Sequence, residues 1–178
     1  MKKQILFIQG GGEGAHEEDK KLANSLQEVL RMEYDVRYPK MPEEESSGYE
    51  AWKTQISREL AALDDKPIIV AHSVGSSMLL KYLSEEKIEK SFAGIFLIAA
   101  PYWGPGGWPD DEFTLDEGLV SKLFEKVPTF FYHSRDDDIV PFAHLAFHAE
   151  KFPRATIHEF DGRGHQFKND LSEVAADI

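Results

Sequence analysis

The sequence of 178 residues contains no cysteine. This absence excludes disulfide bonds, a thiolate nucleophile and cysteine-ligated zinc together. Long hydrophobic runs are also lacking, because the longest apolar stretches, such as residues 93–101, fall far short of the roughly 20 residues that a membrane-spanning helix requires. The sequence therefore predicts a protein with no membrane span.

Positive charge is scarce as well. Twenty Lys and Arg residues stand against thirty-two Asp and Glu residues, which gives a formal net charge of -12 at pH 7. Such a field repels phosphate backbones and anionic lipid surfaces, so we expect no nucleic-acid partner. The short apolar run after the two N-terminal lysines ends in glycines, which predicts a first strand rather than a signal peptide. A cytoplasmic location is consistent with these features.

Short β-rich segments alternate with longer amphipathic segments along the whole chain, and the composition, 42% hydrophobic and 29% charged, is typical of one globular domain spanning residues 1–178. The predicted strands are residues 4–9, 34–38, 67–71, 93–99, 129–133 and 156–160, and the predicted helices are residues 17–31, 49–63, 76–85, 117–124, 142–152 and 171–178. Because most of these strands are apolar on both faces, we expect an α/β fold with a doubly wound, mostly parallel sheet of about six strands and helices on both faces. The one long irregular segment, residues 101–118, is predicted to be a lid-like loop.

A serine stands where the third predicted strand turns into a helix. In the stretch Ala71-His72-Ser73-Val74-Gly75, small residues lie two positions before and two positions after Ser73. This spacing permits a sharp turn that presents a hydroxyl beyond the carboxyl end of the strand, at the positive end of the following helix. Ser73 is therefore a candidate nucleophile, although a helix N-cap is the alternative for this residue taken alone. His72 is expected to pack and to form hydrogen bonds rather than to react.

A nucleophilic serine needs a base, and the base needs an acid that orients it. The segment DGRGHQF supplies His165 after the last predicted strand. The segment HSRDDDIVPF supplies an acid directly after the fifth predicted strand, where Asp136, Asp137 and Asp138 compete. Sequence physics alone leaves the choice among the three aspartates open.

Together these segments resemble the α/β-hydrolase family. The resemblance comes from the nucleophile turn, the Asp-x-x-Val-Pro pattern at residues 137–141, the late Gly-His and the order Ser, Asp, His along the chain. The small size is similar to that of the branch that includes retinoblastoma-binding protein nine and the YdeN-type serine hydrolases. The resemblance implies that Asp137 is the catalytic acid, with Asp138 and then Asp136 as alternatives. The chain departs from the family at Ala71, where the nucleophile turn usually opens with glycine.

The resemblance also implies an oxyanion hole made of two backbone N–H groups. One N–H is expected from Val74, the residue after the candidate nucleophile. The other is expected from the glycine-rich loop after the first strand, where we favour Gly11 over Gly10.

The implied activity is that of a serine hydrolase, a carboxylesterase that acts on small acyl esters and needs no cofactor. Trp103, Trp108 and Phe113 are predicted to wall the acyl pocket, and the Pro-Gly-Gly at residues 105–107 is predicted to let that wall move. The alternative is an α/β-hydrolase scaffold with little turnover that binds a protein partner, because a fold does not determine a function.

Two other kinds of site fit the sequence less well. His144 and His148 have the spacing of a zinc-protease motif, but HLAFH lacks the glutamate that follows the first histidine, so we expect no metal. Gly10, Gly12 and Ala15 fit a dinucleotide-binding fingerprint, but no acidic residue ends the second predicted strand, so we expect no nucleotide cofactor.

Overall fold

The computed structural model describes residues 2–42, 44–109, 111–115 and 124–178. Its centre is one sheet of six strands, namely β1 (Lys3–Ile8), β2 (Tyr34–Arg37), β3 (Ile68–His72), β4 (Gly94–Ile98), β5 (Thr129–Ser134) and β6 (Thr156–Phe160). The strand order is β2-β1-β3-β4-β5-β6 and every pairing is parallel. The order reverses between β1 and β3, and ligands of open α/β sheets bind at such a switch point, beyond the carboxyl ends of the strands. The predicted parallel α/β sheet is confirmed.

The described residues form the α-helices α1 (Ala15–Leu30), α2 (Glu44–Ala61), α3 (Val74–Glu85), α4 (His144–Lys151) and α5 (Ser172–Asp177). Short 3-10 helices cover Arg31–Glu33, Asp111–Phe113 and Phe167–Asn169. Helix α3 begins directly after Ser73, two residues before its predicted start. The helix predicted over residues 117–124 lies outside the described residues except at its end. None of the described helices combines the length and the apolar character that crossing a bilayer would take.

Strand β1 shows why the sheet is covered on both faces. Its last four residues are fully buried, and successive side chains of a strand point to opposite faces. Ile5 and Phe7 pack in the cluster that contains Leu22 of α1, whereas Leu6 and Ile8 pack in the cluster that contains the residues of α2. Full burial of such a side chain contributes about 1.5–3 kcal/mol, so both layers stabilise the strand that ends at the glycine-rich loop.

Candidate active site

The turn between β3 and α3 holds Ser73 in an unfavourable backbone conformation. Its φ is 50° and its ψ is -129°, in a region that residues other than glycine rarely adopt. The surrounding structure holds this conformation, because Ser73 N–H donates to Ile98 O at 2.9 Å and Ser76 N–H donates to Ser73 O at 2.9 Å. The Ser76 hydroxyl also donates to the carbonyl of Ala71 at 3.0 Å. The backbone strain of this turn therefore lies at Ser73, the candidate nucleophile.

Gly75 brings the start of α3 against the end of the first strand. A Cβ atom at this position would lie only 2.0 Å from the carbonyl oxygen of Gln9, and that oxygen belongs to the backbone. The small residue two positions after Ser73 is thus required by the approach of the helix to the glycine-rich loop. This approach places the loop after β1 beside the serine turn.

Ser73, His165 and Asp137 form a continuous line of contacts. The Nε2 atom of His165 lies 3.0 Å from Ser73 Oγ. The Nδ1 atom of the same ring lies 2.9 and 3.0 Å from the two carboxylate oxygens of Asp137. With the ring proton on Nδ1, Nε2 is free to accept the proton of the hydroxyl. The structure brings these three predicted residues together from the loops that follow β3, β5 and β6.

The carboxylate of Asp137 is completely buried and receives several hydrogen bonds. Its Oδ1 atom accepts the N–H groups of Ile139 at 2.9 Å and Val140 at 2.8 Å, and its Oδ2 atom lies 3.3 Å from His133 Nε2. Burial alone raises the pKa of Asp137, but the hydrogen bonds from His133 and His165 outweigh it and hold the pKa far below the ordinary value. Asp137 is therefore ionised whenever the imidazole beside it is neutral.

The two neighbouring aspartates have other surroundings. The Asp136 carboxylate accepts hydrogen bonds from the Ser134 hydroxyl and, at 3.1 Å, from Gly164 N–H, so it holds the loop that carries the histidine. Asp138 is exposed to solvent. Of the three aspartates, all within the described part of the chain, Asp137 is the one whose carboxylate contacts the imidazole.

The glycine-rich loop after β1 approaches the serine closely. A Cβ atom on Gly10 would lie 3.3 Å from the Cβ atom of Ser73, and Gly10 N–H donates to Asp19 Oδ2 at 2.7 Å. The N–H of Gly10 is thus already used, whereas Gly11, the next residue, borders an open cleft of about 480 Å³. Val74 opens α3, where the first N–H groups have no acceptor inside the helix.

The three aromatic residues predicted to wall a pocket form one cluster. The ring of Trp103 lies 4.8 Å from that of Phe113 and 5.1 Å from that of Trp108. Trp103 Nε1 donates to Ser77 Oγ at 2.7 Å, which anchors the cluster one helical turn beyond Ser73. The cavity beside Trp103 and Phe113 holds only about 10 Å³, hardly the space of one water molecule. The aromatic side chains thus fill the space between them, and the larger open volume lies on the side of Gly11.

Within the long loop, the glycines serve close packing. A Cβ atom on Gly107 would lie 2.3 Å from the carbonyl oxygen of Tyr102, and one on Gly106 would lie 2.6 Å from the ring of Phe147. The sequence led us to expect flexibility here, and the structure gives these glycines a steric reason as well. Movement of residues 101–118 as a lid stays a prediction, and residues 110 and 116–118 of this loop lie outside the described residues.

His144 and His148 support the aromatic loop from α4. The Nδ1 atom of His144 accepts the N–H of Tyr102 at 2.9 Å. His148 is buried, and its Nε2 atom lies 3.2 Å from the carbonyl oxygens of Ala100 and Pro101. Burial lowers the pKa of His148 to about 3, so this ring is neutral at ordinary pH.

Sequence reasoning missed Asp19. This residue lies on α1 in the stripe of Leu22, Ala23 and Leu26, and only 2% of its surface is exposed. An acidic residue at the spacing of an apolar helix face is the signal that would have revealed it. Its Oδ2 atom lies 2.9 Å from Nδ1 of His72, which packs and forms hydrogen bonds beside Ser73.

Comparison with known proteins shows the family and the fold of this chain. The family model described as serine hydrolase matches residues 18–170, a range that includes Ser73, Asp137 and His165. YdeN of Bacillus subtilis (strain 168) is 28% identical over 127 residues, which are 70% of this chain and 66% of that protein, just under two thirds of its length. The crystal structure of the B. subtilis ydeN gene product has a TM-score of 0.74 and 22% identity, with coverage of 98% of this chain and 96% of that chain.

Two other solved structures share the fold. The meta-cleavage product hydrolase CumD of Pseudomonas fluorescens IP01 has a TM-score of 0.73 and 16% identity, with 98% of this chain and 87% of that chain covered. The esterase domain of a Rhodothermus marinus protein has a TM-score of 0.64 and 17% identity, with 99% and 82% covered. At these identities the likeness concerns the fold, whereas the family match covers most of the chain. The chain therefore belongs to the serine hydrolase family, and it has an α/β-hydrolase fold similar to that of YdeN.

Proposed function

We propose that this protein is a serine carboxylesterase that hydrolyses small acyl esters through Ser73, His165 and Asp137. The observation that carries the proposal is the line of contacts from Ser73 Oγ, 3.0 Å from the imidazole, to the buried carboxylate 2.9 Å beyond it. Membership of the serine hydrolase family supports hydrolysis. An ester is favoured over a thioester or an amide because ester hydrolysis is the common activity of α/β-hydrolases. The proposal needs no cofactor.

In the proposed mechanism, His165 Nε2 accepts the hydroxyl proton as Ser73 Oγ attacks the carbonyl carbon of the ester. The tetrahedral intermediate collapses when the C–O bond to the alcohol breaks, and His165 returns its proton to the departing alkoxide. Water then attacks the acyl-enzyme, again giving a proton to His165, and the acid leaves as Ser73 regains its proton. Asp137 holds the Nδ1–H and stabilises the imidazolium that forms twice in each cycle.

The negative charge that develops on the carbonyl oxygen needs donors that are already in position. We propose the backbone N–H groups of Val74 and Gly11 for this role. The hydrogen bond from Gly10 N–H to Asp19 supports Gly11 over Gly10, because an N–H that already donates to a carboxylate has no free proton for the substrate. Loss of one such donor typically lowers turnover by about 10²–10³.

The substrate is proposed to lie between the open cleft beside Gly11 and the aromatic cluster. The cleft of about 480 Å³ gives one part of the ester room. The cavity beside Trp103 and Phe113 is about 10 Å³, so an acyl chain enters there only when these rings separate. The packed cluster, which also includes Trp108, therefore supports short acyl groups as preferred substrates.

The test is labelling with a fluorophosphonate, together with hydrolysis of p-nitrophenyl acetate. We expect wild type to be labelled and active, and Ser73→Ala to lose both properties. Ser84→Ala is the matched control, because Ser84 is buried at the far end of the same helix, where its hydroxyl donates to a backbone carbonyl. Folded wild-type protein that resists labelling would overturn the proposal and favour a scaffold that binds a protein partner.

A further inference from the structure

Three loops of the site meet at a buried carboxylate that the mechanism does not use. Asp19 Oδ2 accepts the N–H of Gly10 at 2.7 Å, from the loop after β1. The same oxygen lies 2.9 Å from Nδ1 of His72, the last residue of β3. The other oxygen, Oδ1, accepts the side-chain amide of Gln166 at 2.7 Å, from the loop after β6. Asp19 thus contacts the glycine-rich loop after β1, the end of the strand that leads to Ser73, and the loop that carries His165.

The contacts of His72 determine its charge. Its Nε2 atom lies 3.0 Å from the carbonyl oxygen of His165, and a carbonyl can only accept, so Nε2 carries a proton. Its Nδ1 atom faces the Asp19 carboxylate, which the donors Gly10 and Gln166 favour in the ionised form. Both ring nitrogens therefore face acceptors, which is the arrangement of an imidazolium ion.

The balance of burial and charge agrees with an ion pair. Burial alone lowers the pKa of His72, but the Asp19 carboxylate outweighs it and raises the pKa above the ordinary value. Burial alone raises the pKa of Asp19, and the charge and hydrogen bond of His72 lower it below the ordinary value. Among the described residues, the other titratable groups that face the pair are the His165 ring, 4.9 Å from the His72 ring, and the side chains of Asp137 and Tyr38.

We propose that Asp19 and His72 are positioning residues, a buried carboxylate–imidazolium pair that sets where the base and the oxyanion loop lie relative to Ser73. The hydrogen bond from His72 Nε2 to the His165 carbonyl holds the backbone of the base itself. The hydrogen bond from Gly10 N–H to Asp19 holds the residue next to Gly11, the proposed oxyanion donor. The kinetic part of this inference rests on the proposed esterase function, whereas the charge of the pair does not.

The first test is NMR of wild-type protein carrying ¹⁵N-labelled histidine. We expect both ring nitrogens of His72 to be protonated at pH 7.5. His148 is the internal reference, because it is equally buried and its pKa of about 3 leaves one of its nitrogens without a proton. An unprotonated Nδ1 in His72 would overturn the ion pair, whatever the enzyme does to esters.

The second test is the kinetics of Asp19→Asn on p-nitrophenyl acetate. Because a displacement of about 1 Å in a reacting group can cost 10²-fold, we expect kcat to fall about ten- to a hundredfold with little change in KM. Asp177→Asn is the matched control, since its carboxylate accepts the Tyr132 hydroxyl at 2.7 Å and lies 3.0 Å from His158 Nε2, at the C-terminal helix. We expect the control to keep wild-type kcat.

A folded Asp19→Asn variant with wild-type kcat would overturn the positioning role. If that variant does not fold, Gln166→Met replaces it. This change removes the hydrogen bond that the Gln166 amide, in the loop that carries His165, donates to Asp19 Oδ1. A lower kcat at unchanged KM is then expected, and wild-type kcat would overturn the proposal. Wild-type protein that no fluorophosphonate labels would instead refute the esterase function and leave the NMR result standing.

Discussion

Replacing Asp137 with asparagine inverts the tautomer of the imidazole. In wild type the carboxylate accepts on both oxygens, so Nδ1 of His165 carries the ring proton and Nε2 faces Ser73 Oγ as an acceptor. Ile139 and Val140 donate to Oδ1, which keeps the carbonyl of an asparagine on that side. The amide –NH₂ then lies at Oδ2, 2.9 Å from His165 Nδ1, where it competes with the carbonyl 3.0 Å away and favours the ring proton on Nε2.

The expected cost follows from this inversion. A ring protonated at Nε2 has no lone pair for the Ser73 proton, and loss of the acid in this way lowers kcat by about 10⁴ in serine hydrolases. At about 1.36 kcal/mol for each factor of ten, this corresponds to about 5.4 kcal/mol of transition-state stabilisation. Stability should fall less, because a hydrogen bond to a charged group contributes about 1.5–3 kcal/mol.

The assay is kcat for p-nitrophenyl acetate, with thermal unfolding to show that the variant is folded. Asp138→Asn is the matched control, because Asp138 is exposed, and we expect wild-type kcat. Asp136→Asn should lower kcat only modestly, since Asp136 supports the histidine loop through Gly164 N–H. Wild-type activity in Asp137→Asn, or a larger loss in Asp138→Asn, would refute the reasoning.

Three further predictions concern the turn after Ser73, the stability of the fold at low pH and the cavity beside Trp103. Gly75→Ala should destabilise the fold by about 1–3 kcal/mol and slow fluorophosphonate labelling, because the new Cβ lies 2.0 Å from Gln9 O; an unchanged Tm would contradict this contact. Folding lowers the pKa of Asp137, so the ionised carboxylate contributes its full stabilisation above the ordinary value of 3.8 and loses it as the pH falls below that value. Asp137→Asn lacks this contribution. Its Tm should therefore fall less steeply from pH 4 to pH 2 than the Tm of wild type. Trp103→Phe removes the hydrogen bond to Ser77 and some ring volume, so kcat/KM for p-nitrophenyl butyrate should rise relative to the acetate; an unchanged ratio would place the acyl group elsewhere.

The fold and much of the candidate site could be predicted from short windows of sequence. Apolar runs that lack alternation indicate strands covered on both faces, as Ile5 to Ile8 illustrate. The small residues around Ser73 indicate a strained turn, and the glycines before His165 indicate a tight loop. These properties depend on neighbours along the chain, which is why a linear sequence reports them.

Other features depended on the tertiary structure. The aspartate that reaches His165 is decided by which side chain of the turn after β5 points into the protein. The volume beside Trp103 is decided by how the rings pack. Asp19 contacts Gly10 and His72 because the strand order places β1 beside β3. It contacts Gln166 because the loop after β6 packs against the ends of these two strands. Contacts between residues so far apart along the chain are set by topology and packing, and no local pattern in the sequence encodes the distance between them.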